Sequence, residues 1–78
     1  MNIALFFHSD FPELLREKLE KSGEDWEAFD ISMPENLARF CRATNAFGPD
    51  SLSLPLLIVD NIAIIGRENQ LRWAEAFL

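Results

Sequence analysis

The sequence predicts an α/β fold with the element order β-α-β-α-β-β-α. Three observations carry this expectation. Short apolar runs alternate with segments in which apolar residues recur every three or four positions, glycines and prolines punctuate the boundaries, and the last two apolar runs lie only two residues apart. The 78 residues, 49% of them hydrophobic, suffice for one domain, residues 1–78, and are too few for a second core.

Ile3-Ala4-Leu5-Phe6-Phe7 is a continuous apolar run ended by His8-Ser9-Asp10, the pattern of a buried strand. Asp10 followed by Glu13 has capping-box spacing with Pro12 in the first turn. Leu15, Leu19 and Ser22 then keep helical spacing up to Gly23, the expected stop. Trp26 to Ile31 reads as a second strand, parallel to the first because a helix joins the two. Pro34 and Glu35 open a second helix. Its Leu37, Phe40, Cys41, Thr44 and Phe47 fall on one apolar face, so Cys41 is expected to be buried and inert. Gly48-Pro49-Asp50-Ser51 is turn chemistry. Leu54 to Val59 and Ile62 to Ile65, linked by Asp60-Asn61, form an antiparallel hairpin that Gly66 ends. From Arg67 onward Leu71, Ala74, Phe77 and Leu78 give a third helix. The sum is a four-stranded mixed sheet flanked by three helices.

Composition narrows the function. Seven Lys and Arg stand against 13 Asp and Glu, a formal charge of -6, which repels a phosphate backbone and an anionic membrane surface. No nucleic-acid or membrane partner is expected. The chain starts Met1-Asn2-Ile3 without a basic leader, and its longest apolar run falls far short of the ~20 residues that span a bilayer. A single cysteine permits neither an intrachain disulfide nor a thiol-rich metal cluster, and a reducing compartment, the cytoplasm, fits best.

Ser53-Leu54-Pro55-Leu56-Leu57-Ile58-Val59-Asp60-Asn61 resembles the TVPxIFIDG stretch of glutaredoxins, and Ile64-Ile65-Gly66-Arg67-Glu68-Asn69 follows where that family shows I-G-G-x-D. Leu15 to Gly23 also looks like the family's first helix. The resemblance spans the whole chain and implies the thioredoxin-like fold. It also implies a cis Leu54-Pro55 bond beside the tip of the first helix, with the backbone of Leu54 free to pair with an extended peptide such as glutathione.

The same resemblance exposes what is missing. The family's C-x-x-C falls on Ser9-Asp10-Phe11-Pro12, and no cysteine precedes Cys41. A serine hydroxyl stays protonated near neutral pH and cannot form a mixed disulfide. No Lys or Arg precedes Arg16 to stabilise a thiolate, and Ile65 replaces the first glycine of the glutathione motif. The implied groove is therefore degenerate, with Ser9, Phe11, Leu54, Pro55, Gly66, Glu68 and Asn69 as its candidate ligand-binding residues. Arg39 and Arg42 on the second helix are candidates for a ligand's far end.

His8 lacks the partners that a metal site needs, so a local hydrogen bond is expected of it, and no metal is expected. Neighbours in an extended segment face opposite sides, so His8 and Ser9 are not expected to act as base and nucleophile; Ser9 or Asp10 serves as a helix cap. The expected function is a non-catalytic module that binds a protein or small peptide, with no resident cofactor and glutathione as a candidate ligand. The alternatives are a thiol-disulfide oxidoreductase using Cys41 or a partner's thiol, and a homodimer formed through exposed apolar residues such as Phe11 or Trp73.

Overall fold

The hydrophobic runs pair into one sheet, and the computed structural model describes every residue from Met1 to Leu78. The elements are β1 (Asn2–Phe7), α1 (Glu13–Ser22), β2 (Asp25–Asp30), α2 (Pro34–Phe47), a 3₁₀ turn (Pro49–Leu52), β3 (Leu56–Val59), β4 (Ile62–Ile65) and α3 (Arg67–Phe77). The four-stranded sheet has the order β2-β1-β3-β4. β1 runs parallel to β2, with Leu5 opposite Ala28, and antiparallel to β3, with Leu5 opposite Leu57. β3 and β4 form the hairpin, with Leu57 opposite Ile64.

Alternation along the central strands sends side chains to two faces. Ile3, Leu5, Leu57 and Val59 pack against Leu15 and Leu19 of α1 and Ala74 of α3. Phe6 and Leu56 turn the other way, onto Phe40 of α2. α1 and α3 therefore cover one face and α2 the other. Leu5, Leu19, Leu56 and Leu57 are each 0% exposed, and withdrawing such a side chain from water contributes about 1.5–3 kcal/mol.

Gly23 ends α1 at φ 74°, the left-handed conformation that a residue without Cβ adopts at least cost. α1 starts later and differently from the expected capping box. Pro12, which has no side-chain acceptor, occupies the cap position, and Asp10 instead accepts a hydrogen bond from Arg67 of α3.

The two other helices bury narrower stripes than their apolar spacing suggests. On α2 only Phe40 and Thr44, four residues apart, are buried, while Leu37 is 44% exposed and Cys41 is exposed, contrary to expectation. A helix lying against a sheet shows it one row of side chains, and Cys41, the next residue after Phe40, is rotated about 100° away from that row. On α3 the buried row is Gln70 and Ala74, and Phe77 is 69% exposed instead of packing inward.

Candidate binding site at the tip of α1

β1 ends at Phe7, and the chain reverses through Ser9, whose φ of 65° lies in the left-handed region, with the Asp10 N–H donating to the His8 carbonyl at 2.7 Å. The bend also brings Ser9 Oγ to 3.3 Å from His8 Nδ1. The two neighbours thus meet, because the segment is not extended there as the sequence suggested. The pair makes a local hydrogen bond, and no carboxylate is hydrogen-bonded to the ring to orient it as a base. Phe11 meets Phe7 edge to face with ring centroids 4.7 Å apart and lies beneath the Arg16 guanidinium at 4.9 Å.

The first turn of α3 draws two loops to one place. Gly66 precedes it at φ 91°, again a conformation suited to glycine. Arg67 donates to Asp10 Oδ2 at 2.7 Å, fastening the β1–α1 loop. Gln70, 1% exposed, donates from one Nε2 to the carbonyls of Pro55 at 2.7 Å and Ile64 at 2.9 Å, and its Oε1 has no partner. The Leu54–Pro55 peptide is cis. Leu54 is 37% exposed, and its backbone N–H and C=O make no hydrogen bond within the chain.

Between α1 and α3 lies a groove of about 330 Å³, lined among others by Asp10, Phe11, Leu14, Arg67, Gln70 and Leu71. Of the residues expected from the sequence, Phe11 alone lines it. Ser9 and the Leu54-Pro55 segment belong to the loops beside it. Glu68 pairs with Arg72 at 3.6 Å, and Asn69 donates to the Ile65 carbonyl at 3.0 Å. Arg39 lies over the Phe29 ring at 5.3 Å, on the α2 side of the sheet.

The tip is also less bare of positive charge than the sequence suggests, since Arg16 and Arg67 reach it from α1 and α3. Each is matched by a carboxylate, Glu20 at 3.1 Å and Asp10 at 2.7 Å. Exposed pairs of this kind contribute at most about 1 kcal/mol, so they can exchange partners with a ligand. The only thiol, Cys41, sits on α2, across the sheet from α1 and α3. No group of three His, Cys, Asp or Glu side chains is assembled that could hold a metal ion. No helix is long and apolar enough to cross a membrane.

Sequence reasoning passed over Arg67 and Gln70. Gln70, Ala74 and Leu78 recur at intervals of four, a row that an apolar-only count misses because its first member is polar. No family model, curated protein or solved structure matches the chain.

Proposed function

We propose that the chain is a non-catalytic binding module of thioredoxin-like, glutaredoxin-type architecture that holds an extended peptide, or a segment of a partner protein, at the tip of α1. The sheet order and the parallel β1–β2 pair are compatible with that fold. The observation that carries the function is the placement of sulfur. The β1–α1 loop has none, and the only cysteine lies across the sheet, while the free backbone of Leu54 and the groove beside Phe11 offer a peptide both hydrogen bonds and apolar contact. Glutathione is the simplest peptide of this kind. A cytoplasmic setting suits a chain whose one thiol is exposed.

Amide NMR titration with glutathione tests the ligand, with shifts expected at Phe11, Leu54, Gly66 and Glu68. Exposure of Cys41 favours one rival, a thiol-disulfide oxidoreductase working from α2. Reduction of a glutathione mixed disulfide that Cys41→Ser abolishes would establish that rival and overturn the non-catalytic proposal.

A further inference from the structure

α2 covers only part of its face of the sheet. Its Phe40 closes over Phe6, which stacks on Phe29 at 5.1 Å, and over Leu56. One rung nearer the start of β1, Ala4 stands between Glu27 on β2 and Ile58 on β3. That rung lies in an open groove of about 350 Å³, lined among others by Ala4, Phe29 and Ile58 together with Asp25, Glu27 and Asp60. No Lys or Arg lines it.

The carboxylates that line the groove, Asp25, Glu27 and Asp60, form no salt bridge within the chain, and Asp60 Oδ1 accepts only the Asn2 N–H at 2.9 Å. Two cations of the chain stand at its margins. The Met1 ammonium pairs with Glu24 at 3.2 Å and is held above its usual pKa by Glu24, with smaller contributions from Asp60 and Asp25. The Arg39 guanidinium rests over Phe29 at the α2 end. The chain's own cations thus stand beyond the two ends of the groove, and its middle holds apolar surface edged by carboxylates. β2 is an edge strand, so the groove opens sideways. A second copy of this acidic chain does not complement such a surface.

We propose that this groove docks a segment of a partner protein in which an aliphatic side chain, set on Ala4 and Ile58, is flanked by Lys or Arg residues that meet Asp25, Glu27 and Asp60. The surface lies on the opposite face of the sheet from the α1–α3 groove and does not depend on it.

The test is an amide NMR titration with a blocked peptide of alternating Lys and Val, and with its Glu-for-Lys twin. Shifts are expected at Ala4, Glu27, Ile58 and Asp60 with the Lys peptide alone. Raising the salt from about 0.05 M to about 0.3 M should weaken wild-type binding severalfold, because the charges are exposed. Asp25→Asn with Glu27→Gln should weaken it about tenfold, and Glu17→Gln with Glu75→Gln, of equal net charge but distant on α1 and α3, by less than about twofold. The unbound spectrum of each variant reports whether it folds, and the salt series on the wild type stands without them. Shifts gathered on α1, equal weakening by both double variants, equal binding of the Glu peptide, or no binding at about 1 mM peptide, an ordinary weak affinity, would each overturn the proposal.

Discussion

Replacing Gln70 with Leu keeps nearly the same volume and removes both hydrogen bonds that tie α3 to Pro55 and Ile64, at 2.7 and 2.9 Å. Leaving a buried carbonyl without its donor costs about 1–3 kcal/mol. Loss of the unpartnered Oε1 returns part of that, because a desolvated acceptor is removed with the amide. The net expectation is a destabilisation of about 2 kcal/mol, out of the roughly 4–12 kcal/mol that a chain of this length carries. Trp26 and Trp73 pack against the α1/α3 core, so their fluorescence reports the urea transition, whose midpoint should fall by about 1.5–2 M. Gln70→Glu adds a test by pH. A carboxylate there faces two carbonyl oxygens in a dry site, which raises its folded-state pKa above the ordinary value of about 4.3. The part of its penalty that comes from ionisation is then absent below about pH 4 and grows as pH rises toward 7, while the loss of the second donor remains at every pH. A Leu variant within about 0.5 kcal/mol of wild type, or a Glu penalty independent of pH, would refute the assignment of Gln70 as the tie between α3 and the cis-Pro segment.

Asp10→Asn should lower stability by less than about 1 kcal/mol, because the pair with Arg67 is exposed, yet shift the amide resonances of the β1–α1 loop; a larger loss measured by urea unfolding would contradict that surface role. Gly23→Ala meets no atom within 4 Å, so only its backbone conformation at φ +74° opposes it, and thermal unfolding should register about 1 kcal/mol of destabilisation. Asp30 is held below its ordinary carboxyl value of 3.8, chiefly by the Ser32 backbone N–H and then its side chain, with His8 adding a little. Its contribution is present above that ordinary value and lost as pH falls through the lower folded value, so wild type and Asp30→Asn should converge in stability toward strong acid and differ at neutral pH. Cys41 should react fully with an alkylating agent in the native state without denaturant, as read by mass spectrometry, and protection would contradict its exposure.

Much of the fold was legible because its signals are local. Ile3 to Phe7 and Leu56 to Val59 carry buried residues on both faces, with Ala4 and Ile58 only partly covered, and therefore read as unbroken apolar runs, and Gly23 and Gly66 stop elements where φ is positive. The site was legible only in outline. The absence of any cysteine before Cys41 needs no coordinates, and neither does the position of Pro55 just ahead of a strand.

The sequence by itself determined the order of elements and the lack of a thiol at the tip of α1, because periodicity and residue chemistry are properties of neighbours along the chain. Tertiary structure alone decided which way each helix is turned about its axis. That rotation exposes Cys41 and Phe77 and buries Gln70. It also brings Arg67 to Asp10 across 57 residues of sequence. The sheet shows each helix a single row of side chains, and the row that fits is chosen by the total packing of both partners.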